Sequence, residues 1–174
     1  MPLIDGKFEN PSDEALRKIL TETRTIALVG ASDKIHRPSN EVLGIMLDHG
    51  RWDVIPINPV LKGSLIHGQE VVASLNDLDT PVDMVEIFRR SDKAEALVLQ
   101  EVLAMSPLPK AIWCQIGVIL SNRAIQKVDK SGIELVMDKC PAEELPRLGI
   151  YPSSSKRKSK RKLCSKRKRQ EDES

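Results

Sequence analysis

The stretch Thr25-Ile-Ala-Leu-Val-Gly-Ala-Ser-Asp-Lys-Ile-His-Arg-Pro-Ser39 constrains the fold more than any other segment of this chain. Residues 26 to 29 are all apolar, the pattern of a strand covered on both faces by helices rather than one with a wet face. Gly30 follows at once; a glycine takes positive φ without steric cost and lets a ligand approach the backbone. After Pro38, residues 39 to 48 carry apolar side chains at 42, 43, 45, 46 and 47. That stripe predicts a helix, with Ser39 and Asn40 as capping residues at its start. Strand, tight turn and helix in this order build an anion site. The free N–H groups and partial positive charge of the helix start stabilise a phosphate, and Arg37 supplies a cation.

The same stretch argues against a dinucleotide. The dinucleotide fingerprint is Gly-x-Gly-x-x-Gly, and its second and third glycine positions hold Ser32 and Ile35 here. A nicotinamide site also needs an acidic residue after the second strand to hold the ribose hydroxyls. Trp52-Asp-Val-Ile-Pro-Ile57 reads as that strand, and Asn58-Pro59 follows it. A phosphorylated ligand of another kind fits better, which leaves an NAD(P)-binding oxidoreductase as the alternative enzyme reading.

The rest of the chain repeats the alternation. Pro11 to Leu20 reads as an amphipathic helix with Ser12 as its N-cap and acids in the first turn. Residues 58 to 72, punctuated by Pro59, Gly63 and Gly68, read as a long loop with little regular structure. Strands are expected at 83–88, 111–115 and 132–137, with helices from Ser91 to about Met105 and from Ser121 to about Lys130. The predicted class is α/β: a Rossmann-like, doubly wound, mostly parallel five-stranded sheet with helices on both faces and right-handed crossovers. Ligands of such sheets bind beyond the carboxyl ends of the strands. Those ends are Gly30-Ala31-Ser32, Asn58-Pro59, Phe88-Arg89-Arg90, Gln115-Ile116-Gly117 and Asp138-Lys139-Cys140-Pro141.

Charge divides the chain. Its 27 basic and 25 acidic groups sum to +2, but residues 153 to 174 hold ten Lys/Arg against three Asp/Glu. The remainder is mildly acidic, so the balance of the whole says nothing about nucleic acid. The expected organisation is an extension at 1–11, one domain at 12–150 and a disordered basic tail at 151–174. A domain of that size buries about 70% of its unfolded surface and needs no staple. The tail has one large apolar residue, Leu163, and cannot offset its ordering entropy by burial. Residues 156–169 suit an import receptor or a polyanion contacted through phosphates, without aromatic residues to stack on bases. A nuclear or nucleic-acid-associated protein acting through this tail is therefore a second alternative. Cys114, Cys140 and Cys164 share no metal-ligand spacing and no CxxC, which points to a reducing compartment. No secretory leader and no apolar run near 20 residues is present, so a cytoplasmic location is expected, or a nuclear one through the tail, and no membrane partner. Oligomeric state is not legible.

Taken in order, Val29-Gly-Ala-Ser32, Arg37-Pro-Ser39, Ile55-Pro-Ile-Asn-Pro59, Asp83-Met-Val-Glu-Ile-Phe-Arg89, Trp113-Cys-Gln-Ile-Gly117 and Met137-Asp-Lys-Cys-Pro141 resemble the stand-alone CoA-binding domain proteins. That family is similar to the N-terminal domain of the succinyl-CoA ligase alpha subunit. The resemblance implies a Rossmann-like domain that binds coenzyme A or an acyl-CoA. It implies that Gly30, Ala31 and Ser32, with Arg37 and Ser39, hold the phosphates. Asn58, Pro59, Phe88 and Arg89 would line the nucleotide part, and Gln115 to Gly117 the pantetheine path. The ligase performs its chemistry with a phosphohistidine in a second domain, and none of His36, His49 and His67 can be assigned that role. The resemblance thus implies binding and does not imply a reaction, and the leading reading is a carrier or regulatory module. No nucleophile elbow, metal-binding histidine pair or Walker loop is found in the sequence. Cys140, beside Lys139 and near Arg147, is the one thiol placed to meet a ligand, because neighbouring cations activate a thiol.

Overall fold

The structure, a computed structural model, describes residues 3–4 and 7–152. The basic segment and every expectation placed on it lie outside those residues, apart from the exposed Tyr151 and Pro152 at its edge.

Five parallel strands form the central sheet: β1 (Thr25–Val29), β2 (Asp53–Ile57), β3 (Met84–Ile87), β4 (Ala111–Cys114) and β5 (Glu134–Val136). Their spatial order is β2-β1-β3-β4-β5, the flavodoxin-like order of doubly wound sheets. The α/β Rossmann-like class expected from the sequence is the class observed, with every strand pair of this sheet parallel.

Alternation along β1 shows why its residues are all apolar. Ile26 and Leu28 enter one core with Leu16 and Leu20 of α1 (Asp13–Glu22), Leu43 and Met46 of α2 (Pro38–His49) and Leu145 of α5 (Pro141–Arg147). Ala27 and Val29 enter the opposite core with Ala94 and Val98 of α3 (Ser91–Gln100) and Ile125 and Val128 of α4 (Asn122–Ser131). Both faces are dry, and each large aliphatic chain buried there contributes about 1.5–3 kcal/mol.

Helix starts follow local chemistry. The Ser12 and Ser121 hydroxyls accept from the backbone N–H groups of Ala15 and Ala124, both at 3.3 Å. At α2 the cap differs from expectation. Pro38 occupies the first helical turn and Arg37 is the N-cap, so Ser39 and Asn40 lie inside the helix and are buried. Proline favours that position because it has no N–H to leave unpaired. Two further expectations are corrected. The helix from Ser91 ends at Gln100 and a 3-10 turn at Val102–Ala104 follows. The loop at 58–72 is organised: a 3-10 turn at Pro59–Leu61, then Leu65–Ile66 paired with Gln69–Glu70. Between those pairs, His67 and Gly68 both have positive φ, as a tight hairpin turn requires.

At the N-terminal end, Leu3–Ile4 pairs with Lys7–Phe8, and the Asn10 side chain bonds both N–H and C=O of Met137 at 2.8 Å. His49 stacks on Trp52 with centroids 4.8 Å apart, and burial holds its imidazole below the ordinary histidine value. No helix among the described residues is long and apolar enough to cross a membrane.

Candidate functional site

Strand order reverses between β1 and β3, and a cleft of about 1070 Å³ opens at the carboxyl ends of the strands there. It gathers Gly30, Ala31 and Ser32 from the end of β1, Arg37 and Ser39 from the start of α2, Asn58 after β2, Phe88 and Arg89 after β3, and Gln115 and Gly117 after β4. Pro59 is not part of the lining; it opens the neighbouring 3-10 turn and is exposed. Residues that sequence reasoning did not single out also line the cleft, among them Lys34, Glu41, Val42, Ile45, Val118 and Glu143.

The Gly30 turn is built by crowding. Its φ is +91°, and a Cβ there would collide with the carbonyl oxygen of Phe88. The N–H groups of Gly30 and Ala31 both point back to the Ile57 carbonyl, at 3.0 and 3.2 Å. Two asparagines then hold the outer carbonyls of the turn. Asn58 donates to Ala31 O at 2.7 Å and Asn40 donates to Ser32 O at 2.8 Å. Asn40 is itself clamped: His67 Nε2 lies 3.0 Å from its backbone oxygen and 2.9 Å from Oδ1. Both partners are oxygens, so Nε2 carries the hydrogen and donates. The imidazole reaches them by packing on Gly44, where a Cβ would stand 3.1 Å from Cε1. Neither Asn40 nor His67 has a local signature for this role; Asn40 looked like a cap and His67 like a loop residue.

Opposite, the Gln115–Val118 turn is tied at several points. Val118 N–H donates to Gln115 O at 2.9 Å, Gly117 N–H to Asp138 Oδ1 at 2.7 Å, and Ser91 Oγ to Gly117 O at 3.4 Å. Below it, Gln115 Nε2 donates to Glu86 Oε1 at 2.9 Å. Glu86 is wholly buried, and burial outweighs that hydrogen bond to push its carboxyl up to about 7.

Cations border the cleft. Lys34, Arg37 and Arg89 make no ion pair among the described residues, whereas Arg90 pairs with Asp92 at 3.2 Å. Cys140 lines the cleft and is 7% exposed. The two cations expected to activate it are engaged elsewhere: Lys139 bonds Glu144 at 3.2 Å, and Arg147 bonds Glu144 and Asp13. The Cys114 thiol is driven up to about 12 by burial, so it stays protonated and unreactive. His36 is exposed in the turn that leads to α2.

A parallel sheet wound on both faces, with a glycine turn and cations that form no ion pair among the described residues at its switch point, is the architecture of a Rossmann-type domain. The family described as CoA binding domain matches residues 24–146, and the chain belongs to that family. The Bacillus subtilis protein YneT is 33% identical over 133 residues, which span 76% of this chain and 93% of YneT. A solved Thermus thermophilus structure, cell-free ID.343, is 34% identical with a TM-score of 0.71, over 79% of this chain and 99% of that one. A hypothetical protein from Pyrococcus horikoshii is 33% identical with a TM-score of 0.70, over 79% of this chain and 92% of that one.

Proposed function

We propose that the cleft binds coenzyme A or an acyl-CoA as a binding, carrier or regulatory module rather than as the seat of a reaction. With the N–H groups of Gly30 and Ala31 committed to the Ile57 carbonyl, the Gly30-Ala31 turn gives close approach while Ser32, Ser39 and the start of α2 receive phosphate oxygens, and Arg37 neutralises them, joined by Lys34 and Arg89. Asn58 and the ring of Phe88 border the nucleotide, and the Gln115–Gly117 turn borders the pantetheine arm. The observation that carries this reading is the convergence, in one cleft, of a turn whose carbonyls are held by two asparagine amides with three cations that form no ion pair among the described residues. A polyanion is stabilised there by charge-assisted hydrogen bonds and by the helix start together. Membership of the CoA-binding domain family supports CoA over other phosphorylated ligands. The protein is proposed to act in the cytoplasm, with residues 156–169 engaging an import receptor or a polyanion.

Thermal unfolding of the full chain with saturating CoA, acetyl-CoA, NAD or NADP tests the reading. A ligand at 100 times its dissociation constant adds about 2.7 kcal/mol, and each kcal/mol raises the midpoint by roughly 2–4 °C. A rise of several degrees with CoA compounds alone is expected. A rise with NAD or NADP alone, or with none, overturns it.

A further inference from the structure

Glu86 is the one acidic side chain of β3, level with Leu28 of β1 and Trp113 of β4 in register. It is 0% exposed in a strand whose four residues are all buried. Its Oε1 accepts from Gln115 Nε2 at 2.9 Å, and its Oε2 has no partner among the described residues. An isolated buried carboxyl costs stability that a leucine at this position would not, and core packing does not explain its presence. Its one polar partner, Gln115, lines the cleft.

A glutamine amide is nearly symmetric in shape, so packing alone cannot decide which end faces inward. Ionised Glu86 is acceptor-only and can meet only the NH₂ end. Oε1 of Gln115 is thereby turned to the other side, where it accepts from Ile116 N–H at 3.3 Å and keeps a second lone pair. We infer that Glu86 is a positioning residue that sets the polarity of the Gln115 amide, so that Gln115 offers the ligand a hydrogen-bond acceptor. The matching ligand group is an N–H donor, such as a secondary amide of the pantetheine arm; this step rests on the CoA reading. Titration of Glu86 then matters. Burial and the Gln115 amide are the influences on its carboxyl, no charged group among the described residues acts on it from β1, β4 or the facing helices, and it titrates around a value pushed up to about 7. When protonated it has a donor of its own and no longer dictates the orientation.

The test is calorimetric titration of the full chain with CoA, comparing wild type, Glu86→Gln, Gln115→Ala and the double variant at pH 8 and pH 6. Glutamine at 86 also carries both a donor and an acceptor. Expected is an affinity loss of about fivefold for E86Q at pH 8, the worth of one hydrogen bond, shrinking toward none at pH 6. In the Gln115→Ala background E86Q is expected to have no further effect. Equal or tighter binding by E86Q at pH 8, or additive losses in the double variant, overturns the inference. If the wild type does not bind CoA, the CoA reading fails by itself. Nitrogen-15 NMR of the ligand-free chain then decides the polarity: in the wild type at pH 8 the Gln115 side-chain NH₂ is protected from exchange, and E86Q loses that protection. Identical protection in both proteins overturns the inference.

Discussion

The side-chain amide of Asn58 donates to the carbonyl of Ala31 at 2.7 Å, tying the end of β2 to the turn after β1. The same side chain accepts from Val60 N–H at 2.9 Å through Oδ1, so both ends of the amide are engaged. Replacing Asn58 by alanine removes both bonds and frees the Ala31 carbonyl. A stability loss of about 1–2 kcal/mol is expected, with a midpoint lower by several degrees. CoA affinity is expected to fall with it, read by calorimetry on the same sample.

Gly30→Ala is expected to be more severe. The new methyl group meets backbone rather than a movable side chain, since the Phe88 carbonyl is in its path and φ is +91°. Backbone strain of about 1–3 kcal/mol adds to the cost of moving β1 and β3 apart. The check is thermal unfolding with and without CoA: a midpoint drop of several degrees and loss of the ligand-induced rise. An unchanged midpoint would show that the turn is not packed as described.

His67→Ala separates the clamp from the core. His67 is largely exposed, and its ring meets Asn40 and Gly44. Stability is expected to fall by about 1 kcal/mol, because little apolar surface is lost. Freed, Asn40 no longer fixes the Ser32 carbonyl, and CoA affinity is expected to fall several-fold, measured by calorimetry.

Glu86→Gln is expected to stabilise the fold at neutral to alkaline pH. Folding raises the Glu86 carboxyl from 4.5 to about 7, so the folded state holds the proton more tightly. Its contribution is therefore present below 4.5 and lost progressively as pH rises to about 7. The gap corresponds to roughly 3 kcal/mol. Glutamine has no such loss. Denaturant unfolding from pH 4 to 9 should show the variant gaining on the wild type as pH rises; parallel profiles would show Glu86 ionised with a partner.

Several elements were legible in the chain itself. The apolar run 26–29, the Ser12 and Ser121 caps and the strand-helix alternation encode strands and helices through neighbours a few residues apart, and they predicted the class of fold. The glycine at 30 was legible for the same reason, because a strand-to-helix turn requires it. The α2 cap was misread, since Pro38 shifted the helix start and changed Asn40 from a cap into a buried donor. The helix Pro141–Arg147 was not anticipated, because its seven residues include two prolines and show little periodicity.

Local sequence determined which segments became strands and helices and that a tight glycine turn would follow β1. Only the tertiary structure decided what that turn touches. The order β2-β1-β3 brings the Phe88 carbonyl against Gly30, Asn58 to Ala31 across 27 positions, and His67 to Asn40 across another 27. Glu86 gains its meaning the same way: in sequence it is a polar residue in a strand, and complete burial in the central strand between β1 and β4 makes it an acceptor for Gln115. Propensity and periodicity act over a few residues, whereas these contacts depend on crossovers that fix strand order in space.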